Sequence, residues 1–222
     1  MGNDRMGDVC IMSTSIRNHH YIYHLTEFEN MKSILQYGLL PRKQLQENTF
    51  TDVADPQIMA YREDYHLDDY VPFHFFINSP FAVNVMRNHP GKYVYIAVNR
   101  GYAAMHNFKI IPEHPMSSPE KYNVQMYSYA EGFELIDWET MDKRDFCNQK
   151  SKQVCMAECL CKGKLDIHQL IRSGSAGDGR NLILFYTNRE DESEKSSLEQ
   201  LYHQLFPTEW RLPGIIPAYF PK

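Results

Sequence analysis

The sequence predicts an α+β fold, and three observations predict it. Short runs rich in β-branched and aromatic residues, such as Tyr21-Ile22-Tyr23-His24-Leu25 and Lys92-Tyr93-Val94-Tyr95-Ile96-Ala97-Val98, alternate like strands and are bounded by turn residues. Between them lie segments whose apolar residues recur at helical spacing, such as Phe28, Met31, Ile34 and Leu35. At 222 residues the chain is long enough to bury a substantial core. We expect residues 1–18 to be a frayed polar leader and residues 19–222 a single domain.

The elements follow in order. After the first strand, Thr26 with Glu29 three residues on matches a capping box, so a helix is expected from there to Tyr37-Gly38, with Pro41 blocking continuation. Residues 42–69 are polar and irregular, and Arg62 lies among them. A loop of that length in a compact domain is usually functional. Tyr70-Val71-Pro72-Phe73-His74-Phe75-Phe76 reads as a strand. Asn78-Ser79-Pro80 then caps a helix from Phe81 to Arg87. Strands follow at Lys92–Val98 and Phe108–Ile111, the first closed by a turn at Asn99–Tyr102. The proline-rich stretch Pro112–Pro119 carries His114 on an expected surface loop, where chemistry tends to sit. Ile136-Asp137-Trp138 opens a helix, Leu165–Ile171 forms another, and Ser173–Gly179 is a connector. A strand at Asn181–Tyr186 precedes a charged helix from about Glu194 to Phe206. Ile215–Phe220 is an edge strand, where Pro217 is tolerated.

One stretch stands out. In Val154-Cys155-Met156-Ala157-Glu158-Cys159-Leu160-Cys161 a single carboxylate sits inside an apolar run that reads as a short buried strand. Such a group is costly unless it is paired or working. Taken alone, the run reads more simply as a glutamate on the exposed side of an edge strand, bonded to a nearby lysine.

Composition narrows the classes. Four of the five cysteines crowd between Cys147 and Cys161 without a C-x-x-C pair, which is neither a disulfide framework nor a zinc signature, so a reducing cytoplasm is expected. No metal is expected. The N-terminus lacks a secretory pattern, and no apolar run reaches the length of a membrane span, so no membrane role is expected. A formal net charge of -5 argues against a surface that grips nucleic acid all over, though not against a local basic groove. Aromatic residues make up 13% of the chain, enough to supply both a core and stacking platforms.

Taken together and in order, these segments resemble the DarT-type DNA ADP-ribosyltransferases. Tyr23-His24-Leu25-Thr26, with Asn30, Ile34-Leu35 and Gly38-Leu39, looks like the family's opening histidine motif and helix end. Asp69-Tyr70-Val71-Pro72-Phe73-His74-Phe75 with Ser79-Pro80 is similar to the family signature DYVPFYF followed by SP, and is the most specific match. Ile136-Asp137-Trp138 matches a family IDW, and Ala157-Glu158 with Leu160 matches the run holding the catalytic glutamate. The chain departs from the pattern at Pro112-Glu113-His114-Pro115, at Met156, where the family has glutamine, and in lacking a glycine-rich stretch ahead of Asp69.

The resemblance implies an ADP-ribosyltransferase-like fold, with a central split antiparallel β-sheet and flanking helices. It implies a toxin that uses NAD as co-substrate to modify a nucleobase in single-stranded DNA, thymidine or guanosine being left open, and a macrodomain antitoxin as partner. It makes Glu158 catalytic, with Arg62 and His114. It assigns NAD to His24, Thr26, Asn30, Gly38, Leu39 and Arg62, and DNA to Phe73, His74, Asn78 and His114. Tyr70 or Phe81 is expected to lie against the nicotinamide. Breaking the N-glycosidic bond passes through an oxocarbenium-like state, which a nearby carboxylate stabilises. Two alternatives stay open: an acceptor on RNA or protein, and a non-catalytic NAD- or nucleic-acid-binding module with a structural Glu158.

Overall fold

A computed structural model describes residues 14–45, 62–113, 124–174, 181–209 and 212–221. Among these residues the strands are β1 (Tyr21–Glu27), β2 (Tyr70–Phe73), β3 (Tyr93–Asn99), β4 (Lys109–Ile111), β5 (Tyr127–Ser128), β6 (Glu158–Lys162), β7 (Ile183–Asn188) and β8 (Gly214–Ala218). They form two sheets, ordered β1-β3-β7-β8 and β2-β6-β4-β5. The α+β class expected from the sequence and the split sheet implied by the resemblance are both present.

The split occurs where β1 meets the end of β2. Tyr23 and His74 exchange two backbone hydrogen bonds, each 2.8 Å, and the two sheets diverge from that bridge. Pairing is antiparallel throughout except between β7 and β8, which run parallel. The exception has a simple cause. The helix Glu192–Leu205 carries the chain back across the sheet between the two strands, and such a crossover delivers the second strand parallel to the first.

β3 is buried along its whole length. Its alternation serves two cores. Val94, Ile96 and Val98 join the main core, while Tyr93, Tyr95 and Ala97 face a smaller cluster. The helix Pro80–Asn88 covers that second face with Ala82 and Val85. It starts where the sequence predicts, with Pro80 in its first turn and the Ser79 hydroxyl accepting from the Ala82 amide.

The N-terminal segment is tied down ahead of residue 19. Ile16 is buried, and its amide donates to Asp142 Oδ1 at 2.7 Å. The buried guanidinium of Arg100 donates to the carbonyls of Ile16, Arg17, Tyr21 and Phe75. Its charge also lies over the rings of Phe75, Phe133 and Trp138. The packed body therefore reaches back at least to Ile16.

Local departures from the sequence expectations are informative. Thr26 is not a helix cap; it lies within β1, paired with Val94, because the ladder to β3 continues past it. The run ahead of Glu158 is not strand throughout. Gln149–Val154 is helical, capped by the Asn148 side chain accepting from the Ser151 amide, and the strand starts at Glu158 itself. Asn99–Tyr102 is the capped start of a helix, Arg100–Met105, rather than a plain turn. The Tyr70–Phe76 run pairs as a strand with β6 only as far as Phe73. Cys155, Cys159 and Cys161 are free and buried as apolar filler, and burial pushes the Cys155 and Cys161 thiols up to about 11 and about 12.

Candidate active site

β6 lies between β2 and β4, so its residues alternate between two environments. Cys159 and Cys161 point into the main core. Leu160 faces the other way, into a cluster with Leu67 and Ile111. Glu158 shares the face of Leu160 by the strand's period of two. Its carboxylate is thereby aimed at the segment that carries Arg62 and Leu67.

There it is met. Arg62 Nη1 donates to Glu158 Oε1 at 3.1 Å and to Oε2 at 2.8 Å. Arg62 Nη2 donates to the Leu67 carbonyl at 3.3 Å. The two side chains retain only 14% and 10% of their exposure, so the pair is shielded from water. The alternative of an exposed glutamate paired with a lysine does not hold: Glu158 is 8% exposed and its partner is an arginine 96 residues away. Leu67 was not singled out from the sequence. The available signal was its place just before the Asp69–Phe75 signature.

His24 lies on β1 beside the split. Its Nδ1 is 2.9 Å from the Pro72 carbonyl. A carbonyl only accepts, so Nδ1 carries the proton and Nε2 is left as an acceptor. Burial lowers its pKa to about 4, with smaller contributions in the same direction from His74 and Arg62, while the Pro72 contact pulls upward. His24 is therefore a neutral imidazole at neutral pH, within electrostatic reach of the Arg62 guanidinium. The ring packs against Phe73, with centroids 5.7 Å apart.

The other expected NAD residues occupy defined places. Thr26 shares the face of His24, two residues along β1, and its hydroxyl accepts from Asn30 Nδ2 at 3.3 Å. Gly38 ends the helix Met31–Tyr37 with φ +88, as expected for a glycine stop. Leu39 exchanges backbone bonds with Leu165 at 2.8 and 2.9 Å.

The expected DNA residues divide. Phe73 is fully buried in the main core, so it has no surface on which a base could stack. His74 is 7% exposed, with Nδ1 3.3 Å from the Ala157 carbonyl and its ring 5.3 Å from that of Phe81. Asn78 accepts from Tyr95 and donates to the Tyr219 carbonyl, which holds the C-terminal segment. Tyr70 packs against the Leu67, Ile111 and Leu160 cluster. His114 lies outside the described residues. Among the described residues no group of three or more His, Cys, Asp or Glu side chains is arranged to hold a metal ion, and no helix is long and apolar enough to cross a membrane.

A split α+β sheet that sets a shielded carboxylate–arginine pair beside a neutral imidazole defines the class: an enzyme of the ADP-ribosyltransferase kind. Residues 23–209 match the family model described as ssDNA thymidine ADP-ribosyltransferase, DarT, and the chain belongs to that family.

Solved structures agree on the fold. The chain is 20% identical to Thermus sp. 2.9 DarT in complex with ADP-ribosylated ssDNA, covering 90% of this chain and 96% of that one, with a TM-score of 0.67. The same Thermus protein in complex with NAD+ gives 19% identity, 90% and 98% coverage, and a TM-score of 0.62. Thermosipho africanus DarTG in complex with ADP-ribose gives 18% identity and a TM-score of 0.64. There the match covers 90% of this chain but 50% of the other, so this chain spans half the length of that relative. No curated protein matches the chain in sequence.

Proposed function

We propose that this chain binds NAD at the split between its two sheets and transfers ADP-ribose to thymidine in single-stranded DNA. The observation that carries the proposal is the shielded Glu158–Arg62 pair beside neutral His24. NAD and ADP-ribosylated single-stranded DNA are the molecules held by the Thermus DarT structures.

In this proposal the bond from the ribose C1′ to nicotinamide breaks, and its electron pair leaves with neutral nicotinamide. Positive charge develops on the ribose, and the Glu158 carboxylate stabilises it while accepting from the 2′-hydroxyl. For this to happen, Arg62 swings from the carboxylate to the incoming pyrophosphate or base, for which its fork of donors suits it. His24 accepts a hydrogen bond from a ribose hydroxyl at Nε2. The single N–H of thymine lies on its pairing edge, exposed in a single strand without the cost of opening a duplex. The new C1′–N bond forms there, and the thymine proton leaves to a nearby base or solvent.

Thr26, Asn30, Gly38 and Leu39 line the cofactor side in this proposal, and His114 the DNA side. The enzyme acts in the cytoplasm as a toxin, with an antitoxin that removes the modification. The test is incubation with NAD and a single-stranded oligonucleotide, followed by mass spectrometry. An oligonucleotide containing thymidine gains one ADP-ribosyl unit, while one lacking thymidine, an RNA and a protein lysate do not. Labelling of RNA or protein in place of DNA overturns the acceptor, and failure to release nicotinamide overturns the transferase.

A further inference from the structure

We infer that His74 is a positioning residue for the Glu158 carboxylate, acting through the Ala157 carbonyl rather than by touching DNA. The inference rests on the transferase reading of the site.

β2 and β6 pair antiparallel from Tyr70↔Lys162 to Phe73↔Cys159, and the Gly163 amide donates to the Asp69 carbonyl, so by the alternation of the ladder the next hydrogen-bonded rung would join Phe75 to Ala157. That rung is not made: the Phe75 carbonyl accepts from Arg100 instead. The amide and carbonyl of His74 lie on the opposite edge of the chain and go to Tyr23 on β1. The peptide between Ala157 and Glu158 therefore lies just beyond the end of its ladder on this side. It is also the junction between a helical segment and a strand, where the Ala157 amide donates to Val154 at 3.1 Å.

The imidazole takes over where the ladder stops. His74 Nδ1 lies 3.3 Å from the Ala157 carbonyl and, facing an acceptor, donates its proton to it. Ala157 is 1% exposed, so this carbonyl sits in a region where an unmet polar group is costly. The ring is itself held, packed on Phe81 with centroids 5.3 Å apart. Its backbone is locked by the two bonds to Tyr23, the neighbour of His24. His74 thus connects the strand that presents His24 to the residue that presents Glu158. It ties the two groups together where the sheets diverge. At 7% exposure it has little surface left to offer a base.

The test compares the wild-type chain with His74→Leu, His74→Asn and His74→Gln in steady-state turnover of NAD and single-stranded DNA. The leucine variant lowers kcat on the order of 10- to 100-fold, as expected when a reacting group is displaced by a fraction of an ångström to an ångström, and leaves KM for NAD and DNA unchanged. Asparagine places its amide nitrogen near the position of Nδ1 and restores most of the loss. Glutamine reaches toward the position of Nε2 and does not. The asparagine–glutamine contrast keeps the test decisive if the leucine variant fails to fold. A leucine variant with wild-type kcat, equal losses in the asparagine and glutamine variants, or a rise in KM for DNA at constant kcat overturns the proposal. An active wild type with any of these results overturns His74 alone, whereas an inactive wild type overturns the transferase reading on which it rests.

Discussion

Arg62 holds both oxygens of Glu158 with a single nitrogen, at 3.1 and 2.8 Å, while its other nitrogen rests on the Leu67 carbonyl. The guanidinium is thus anchored on one side and committed to the carboxylate on the other.

Replacing Arg62 by alanine leaves a shielded carboxylate without its cation. Breaking such a pair typically destabilises by about 3–5 kcal/mol. We expect a lower melting temperature and loss of transfer in Arg62→Ala. The double variant Arg62→Ala with Glu158→Gln should recover much of the stability and none of the activity. Thermal unfolding and transfer assays of the wild type and the two variants check this.

His24 sets a pH dependence. Its folded pKa, about 4, lies below the ordinary 6.5, so between those values the unfolded chain binds a proton that the folded chain does not. Stability linked to this group is therefore intact above pH 6.5 and is lost progressively as pH falls toward 4. The full shift corresponds to up to about 3 kcal/mol. His24→Asn, which can still donate to Pro72, should show a flatter fall in denaturation midpoint over this window than the wild type.

Gly38 is a backbone requirement. Its φ is +88, and a Cβ there would stand 2.8 Å from the Leu165 carbonyl oxygen. Gly38→Ala therefore combines strain with a clash against backbone, and we expect a loss of about 1–3 kcal/mol. Urea unfolding measures it.

DNA binding should depend weakly on salt. With a net charge of -5 we expect affinity to rest on a few phosphate contacts. The logarithm of the binding constant against the logarithm of salt should have a slope no steeper than about −3. A fluorescence titration with a labelled single strand at several salt concentrations gives the slope.

Much of the fold was legible because local signals agreed with the final packing. The Ser79-Pro80 cap and the Gly38 stop were read where they occur. Thr26 escapes its capping-box pattern because that pattern is local, whereas the β1–β3 ladder that absorbs Thr26 pairs it with Val94, far along the chain. The run ahead of Glu158 is helical where a strand is expected because apolar content alone does not separate a short helix from a strand. Strand alternation could have told Phe73 from His74, since neighbours on a strand face opposite sides, but which side is core depends on what covers each sheet. The grip of Arg62 on Glu158 was beyond reach, because no periodicity links residues 96 positions apart.

The central claim is that the Glu158 carboxylate performs ADP-ribosyl transfer to thymidine. It is tested most directly by mass spectrometry of a thymidine-containing single strand after incubation with NAD and Glu158→Gln. The variant should fold, gain thermal stability from NAD as the wild type does, and leave the DNA unmodified, while the wild type adds an ADP-ribosyl unit. DNA modified by the variant at the wild-type rate would contradict the account.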